Sequence, residues 1–291
     1  MGFRNKVKGI ILIRKYCLNW ELILLNIFRK SNSDVNLRTG LNIKQIKDPY
    51  SLCILLENRW SILKIDDQFL VIGNPQQIKI KCRLKMGNDL GHLVEIFEFG
   101  TYSIDFKNST IIDVGASNGD SSIYFASKGA SKIYALEPMK ESFDLAMENI
   151  KMNDLSEKIV LINSAINGSG GEQQLYISSR DPNANSLEPT MAIKEEILIQ
   201  FDLKKNVNVV TISDIIRNYQ LPSLTLLKMD CEGCEYEVFK EINKETLSII
   251  DNIILEYHDH PQFIPDILRK EGFKVTYNEK ESIGILKAKR I

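Results

Sequence analysis

The 291-residue chain has no excess of positive charge, no uninterrupted apolar run, no even set of cysteines, no internal repeat and no low-complexity tract. Each absence removes a class of protein. A net charge of −1 argues against nucleic acid as the main partner. Five cysteines give no disulfide framework. Cys17, Cys53 and Cys82 therefore read as scattered core thiols of a protein in a reducing cytoplasm. Cys231 and Cys234 make a lone CxxC. A second pair or two partnering histidines are missing, so neither zinc nor redox chemistry is specified and chance spacing is the simpler reading. Ile10–Phe28 is the most apolar stretch, but Arg14, Lys15, Asn19, Glu21 and Asn26 interrupt it too often for a bilayer span. No small-residue cleavage site closes it as a signal peptide would.

What is present is ordinary globular composition, 44% apolar and 26% charged, with an uneven charge distribution. Residues 1–30 carry seven basic side chains against Glu21 alone, a net of +6, which leaves −7 for the rest of a chain totalling −1. This predicts a basic, apolar N-terminal helix over 1–34, packed on the body, on a second copy, or on an anionic membrane surface through residues 10–28. From 35 to 105 short strands and turns predict a small α+β attachment: hairpins at Val35–Ile46 and Ile62–Ile72, a strand at Gln77–Lys85, and helices at Tyr50–Glu57 and Leu90–Phe99. His92 reads as a packed or surface histidine.

Residues 106–291 alternate strands with helices, which predicts an α/β domain around a mostly parallel sheet. Strands are expected at Thr110–Val114, Lys132–Leu136, Ile159–Ile166, Leu224–Met229 and Ile253–Glu256, with extended pieces at Gln173–Ile177 and Val207–Val210 around a polar Ser178–Pro189 loop. Phe143, Ala146, Met147 and Ile150 recur at helical spacing within Met139–Asn153, and a closing β pair is expected at Phe273–Tyr277 and Ile283–Lys287.

The domain is organised around Ser109–Asp120, STIIDVGASNGD. A buried β-branched strand runs straight into a glycine-containing turn and a helix, the arrangement by which α/β sheets hold nucleotides at their strand ends. Glycine lets backbone approach a ligand because it lacks a Cβ. Asp113, Glu137, Asp230 and Glu256 all fall at strand C-termini. Glu137, one strand after Asp113, stands where a carboxylate takes both ribose hydroxyls of a nucleoside. The loop lacks the third glycine of G-x-G-x-x-G. A pyrophosphate needs bare N–H groups beneath it, and an acid at the loop's start repels it while suiting a cation. Both points favour S-adenosylmethionine (SAM) over NAD.

DVGASNGD, ALEP, NSAI, LKMDCEGCEYEVFKEI and IILEYH together resemble the FkbM-type SAM-dependent methyltransferases over roughly Phe99–Gly272. The K-x-D-x-E-G-x-E segment at Lys228–Glu235 and E-x-H at Glu256–His258 are its more specific marks. The resemblance implies a Rossmann-like, seven-stranded sheet with one antiparallel strand, and methyl transfer mostly to oxygen. Ser117 stands where the family often has Asn, and Cys231 and Cys234 where small apolar residues are usual. Carried over, Asp113, Gly115, Ala116, Asn118 and Gly119 would line the methionine end of SAM. Glu137 would hold the ribose, Ser164 and Ala165 would edge the adenine, and Asp230 would face the sulfonium.

Alternation places residues 228, 230 and 232 on one side of an extended segment, and Glu256 with His258 likewise. A hydroxyl acceptor must lose a proton, for which His258, with a pKa near the working range, and Glu232 are the candidate bases, with Glu256 beside them. Lys228 would hold an acid in place or contact the acceptor. A divalent cation on Asp230, Glu232 and His258 is an alternative use of the same groups, and His260 reads as loop. The expected function is O-methylation of a small molecule, sugar or glycan hydroxyl. The competing readings are a non-catalytic SAM or nucleotide-binding module at a membrane or in a complex, and a dehydrogenase with a degenerate NAD loop.

Overall fold

The structure, a computed structural model, describes residues 3–178, 185–187 and 201–291; the polar loop expected at Ser178–Pro189 lies largely outside them. It divides into units Met1–Thr101 and Tyr102–Ile291.

In the first unit the apolar N-terminal stretch is not one helix but two, α1 (Phe3–Tyr16) and α2 (Trp20–Phe28). The break has a specific cause. Asn19 turns its side chain onto neighbouring backbone, donating to the Asp34 carbonyl at 2.8 Å and accepting from the Asn36 N–H at 2.9 Å. That backbone belongs to a hairpin of β1 (Ser33–Asn36) and β2 (Asn42–Ile46). Helix α1 packs on α3 (Pro49–Glu57), where Asp48 caps the first turn and proline opens it. The segment 1–34 thus shares a core with the β1–β2 hairpin and α3. Ile13, Ile23, Val35, Ile43, Ile46, Leu52 and Leu55 are all buried, each such side chain contributing about 1.5–3 kcal/mol. A three-stranded meander, β3 (Ser61–Ile65), β4 (Phe69–Gly73) and β5 (Lys79–Arg83), comes next. The helix expected over Leu90–Phe99 is a short α4 (Asp89–Leu93) that continues as a π-helical turn at Val94–Glu98. No described helix is long and apolar enough to cross a membrane.

The second unit is built on seven strands. β6 (Thr110–Val114), β7 (Lys132–Leu136) and β8 (Ile159–Ile162) run parallel, as do β12 (Leu224–Met229) and β13 (Ile250–Tyr257). β14 (Phe273–Thr276) and β15 (Gly284–Arg290) complete the sheet, in the order β8-β7-β6-β12-β13-β15-β14, with β15 antiparallel to both neighbours. This is the Rossmann-like seven-stranded sheet with a single antiparallel strand that the resemblance implied. β6, β7 and β12 coincide with the strands expected from sequence because they are apolar runs bounded by loop residues and buried on both faces. Helices α5 (Asp120–Ser127), α6 (Lys140–Met152), α7 (Ile212–Asn218), α8 (Cys234–Glu241), α9 (Lys244–Ser248) and α10 (Ile264–Lys270) connect and flank them.

One strand departs from expectation. Ile159–Ile166 is broken at Asn163-Ser164, where Asn163 Nδ2 donates to the carbonyls of Glu137 (2.9 Å) and Pro138 (3.0 Å). Past the break, β9 (Ala165–Ile166) leaves the main sheet and joins β10 (Gly171–Ile177) and β11 (Leu203–Val210) in a small one of its own.

Candidate active site

Asp113, Lys228 and Ile254 lie side by side in register across β6, β12 and β13. In-register residues of parallel strands project to the same face, and this sets the deepest contact of the site. Lys228 Nζ is 3.2 Å from Asp113 Oδ1 and donates to the carbonyls of Val114 (3.2 Å) and Gly115 (2.9 Å). Asp113 Oδ2 accepts from the hydroxyls of Ser121 (2.7 Å) and Ser122 (2.6 Å) at the start of α5. Both side chains of the pair are almost wholly enclosed, at 2% and 0% exposed. Burial alone would lower the Lys228 pKa, but the charges of Asp113 and Asp230 outweigh it and raise it. The Asp113 carboxylate therefore works inward, tying strand to helix, and Lys228 holds that acid.

The loop between them uses its own N–H groups. Gly115 and Ala116 both donate to the Leu136 carbonyl, Ser117 donates to Glu137 Oε2 at 2.9 Å, and Gly119 donates to the Ala116 carbonyl. Glu137 is further held through Oε1 by the Met139 N–H at 2.8 Å. Ala116, Asn118 and Gly119 are buried, whereas Gly115 and Ser117 are partly exposed. Asn118 accepts from Asp120 N, and its Nδ2 is a buried donor without a protein partner. Ser164 and Ala165 are buried at the β9 turn. Gly115 has φ +74°, and the Asp230 carbonyl oxygen lies 1.8 Å from where a Cβ would stand. Its glycine is required by the neighbouring loop's backbone as much as by any ligand.

That neighbouring loop overturns the simple alternation expected from 228, 230 and 232. β12 ends at Met229, and Glu232 (φ +57°) and Gly233 (φ +110°) both turn left-handed. Lys228 points into the sheet interior while Asp230 and Glu232 remain partly exposed. Two features that sequence reasoning missed hold this turn. Glu235, fully buried, accepts from the N–H groups of Cys231 and Gly233, each at 2.9 Å; burial pushes its pKa up, opposed by nearby His258. Cys231 and Cys234 are joined as a disulfide with Cα atoms 5.5 Å apart, so their spacing is not chance. Cys17, Cys53 and Cys82 are buried thiols outside any disulfide, and the sulfurs of Cys17 and Cys53 lie 3.8 Å apart. Tyr102, the first residue of the second unit, was missed too. Its hydroxyl lies 3.3 Å from Asp230 Oδ2, and Lys228 Nζ sits over its ring at 5.4 Å. A lone tyrosine far upstream carries no sequence signal for this.

The end of β13 supplies Glu256 and Tyr257, and His258 follows in the bend beyond it. Tyr236 on α8 fixes the turn beyond: its oxygen accepts from the N–H groups of His258 (3.2 Å) and Asp259 (3.1 Å) and donates to the His260 carbonyl (2.9 Å). His258 Nε2 is 3.2 Å from Glu232 Oε2. Burial alone would lower the His258 pKa, but Glu232, Glu235, Asp230 and Glu256 push it up to about 9. The expectation of a histidine base poised near neutrality is thus not met; at pH 7 the ring is an imidazolium among carboxylates. One donor atom from each of Asp230, Glu256 and His258 lies within 4.8 Å of the others. Glu256, not Glu232, is the third member of that group. A polar hollow lined by Pro138, Lys140, Asn163 and Lys205 contains none of these residues.

The family profile described as "Methyltransferase FkbM domain" matches residues 113–275. "Methyltransferase sdnD" of Sordaria araneosa is 28% identical over 214 residues, 64% of this chain and 83% of that protein. "Methyltransferase 1" of Beauveria bassiana strain ARSEF 2860 is 24% identical over 230 residues, 74% and 89% respectively. A crystal structure of Methyltransferase FkbM from Methylobacillus flagellatus KT aligns with TM-score 0.43 and 13% identity, over 66% of this chain and 46% of that one.

Proposed function

This chain belongs to the FkbM methyltransferase family, and from that premise we propose that it transfers the methyl group of SAM to a hydroxyl oxygen of a small molecule, sugar or glycan. The carrying observation is the loop 115–119. The N–H groups of Gly115, Ala116, Ser117 and Gly119 are all engaged within the protein. A pyrophosphate would have to displace them; a nucleoside carrying a sulfonium needs none of them. This disfavours the dinucleotide alternative. The residues fit SAM: Glu137, braced by two N–H groups at the end of β7, takes the ribose hydroxyls, and Asn118 holds an unused buried donor in the same loop.

SAM supplies an electrophilic methyl group on sulfur. The chain's own residues position the acceptor and take its proton. Most of the acceleration comes from holding acceptor and donor in line. Glu232, partly exposed and paired with the His258 imidazolium, is the carboxylate placed to receive the proton of the hydroxyl. Calorimetry tests the cofactor: wild type is expected to bind SAM, and Glu137→Ala to bind it at least about tenfold more weakly through loss of the charge-assisted bonds to the ribose. Full affinity in the variant would remove Glu137 from the site. Mass spectrometry of products from a panel of hydroxylated compounds tests the reaction: a methyl ether supports it, and an N-methyl product or methyl ester refutes oxygen transfer to a hydroxyl.

A separate observation bears on where the enzyme works. Ile10, Ile11, Leu18, Leu22, Leu25, Ile27 and Phe28 are all exposed, Phe28 at 87%, beside exposed Arg14, Lys15, Arg29 and Lys30. Apolar side chains rimmed by cations suit an anionic lipid surface. The protein is expected to float with vesicles containing phosphatidylserine, less in high salt, and to lose this when Phe28 and Leu22 become Ser. A dimer in solution with no flotation would instead assign the face to self-association.

A further inference from the structure

We propose that Asp230, Glu256 and His258 form a site for one divalent cation of the Mg²⁺/Mn²⁺ class, with Glu232 orienting the imidazole. Three observations converge. The first is distance. The three donor atoms lie within 4.8 Å of one another, at the ends of two adjacent strands. Octahedral donors about 2.1 Å from one ion stand about 3.0 Å apart when adjacent and about 4.2 Å when opposite, so the three groups have to draw together by up to about 1.8 Å, a rotamer adjustment, to complete the shell. The second is the imidazole. Nε2 is engaged by Glu232 at 3.2 Å, whereas Nδ1 is buried and has no partner. A ring whose one nitrogen faces a carboxylate while the other is left bare is how metal-ligating histidines are held; the ion takes the place of the proton that the surrounding carboxylates otherwise keep on the ring, so binding releases a proton and strengthens as pH rises. The third is charge. Asp230, Glu232 and Glu256 gather around His258; the nearby buried cation, Lys228, makes its contacts with Asp113 and two carbonyls and acts on Asp230 only through its charge. Carboxylate oxygens with one imidazole suit a hard ion that keeps several waters, which a substrate hydroxyl can replace.

The site's use in catalysis rests on the methyltransferase reading: a cation there would bind the acceptor hydroxyl and ease loss of its proton towards Glu232, as the methyl carbon leaves sulfur and bonds to oxygen. The site itself is testable without activity. Mn²⁺ is titrated into the full chain without SAM, following the electron paramagnetic resonance of free Mn²⁺. About one ion per chain is expected to bind. Glu256→Gln and His258→Ala should each weaken binding at least about tenfold, and Glu232→Gln about 10–100-fold. Circular dichroism checks that each variant folds; should His258→Ala not fold, the near-isosteric Glu256→Gln decides. No saturable Mn²⁺ binding by the wild type, or unchanged binding by Glu256→Gln, overturns the proposal. Calorimetry with SAM on the same preparation separates the two readings. SAM binding without Mn²⁺ binding removes the cation site alone, and Mn²⁺ binding without SAM binding removes the cofactor reading and leaves the site.

Discussion

Replacing Lys228 by Ala is expected to cost about 3–5 kcal/mol of folding stability, measured by urea unfolding. The loss has a specific origin. Asp113 is 0% exposed and its Oδ1 faces the ammonium at 3.2 Å, so the variant leaves a charge buried without a counter-ion. Against a typical total of about 5–15 kcal/mol this is a large fraction. Lys228 also caps the Val114 and Gly115 carbonyls, so the 115–119 loop should loosen, and the SAM affinity proposed for it should fall with it. Lys228→Met combined with Asp113→Asn should regain part of the stability. The Asn oxygen can still accept from Ser121 and Ser122, and no buried charge is left alone. A single-variant cost below about 1 kcal/mol would mean that water reaches this pair and that its burial does not matter.

Gly115→Ala is the second large effect. The added Cβ would stand 1.8 Å from the Asp230 carbonyl oxygen, on a backbone whose φ of +74° already disfavours a side chain. Left-handed strain costs about 1–2 kcal/mol and the forced backbone shift about 1–3 kcal/mol more. The shift is also directional: what has to move is the turn bearing Asp230 and Glu232. Methyl transfer should therefore fall far more than thermal stability alone accounts for, seen as lost turnover in variant protein that remains folded at the assay temperature. Wild-type turnover in Gly115→Ala would show that the two loops do not touch.

The difference between what sequence reveals and what it hides is visible in these two residues. Gly115 and its loop were legible, as were β6, β7 and β12, because an apolar run ending on Asp-x-Gly needs only local rules. That Asp230 presses on Gly115, or that Lys228 faces Asp113, depends on β12 lying beside β6, a neighbour relation that no local pattern encodes. Tyr102 reaches Asp230 for the same reason. Alternation failed at Glu232 because the left-handed pair Glu232-Gly233 ends the pleat, and the continuous N-terminal helix failed because Asn19 finds a partner in β1. The Cys231–Cys234 bond was hidden because CxxC spacing allows a bond, and only the turn that brings the two residues together makes it.

The buried ion pair also sets a timetable for biosynthesis. Lys228 is made 114 residues after Val114, whose carbonyl it caps; at about 5–20 residues per second the ribosome needs roughly 6–23 s to span that interval. During it Asp113 has no ammonium to meet, so β6 cannot bury a charged carboxylate and the nascent sheet gains little by closing early. The strand that founds the cofactor loop thus has to wait, hydrated and unpaired on its β12 side, for a partner still being translated.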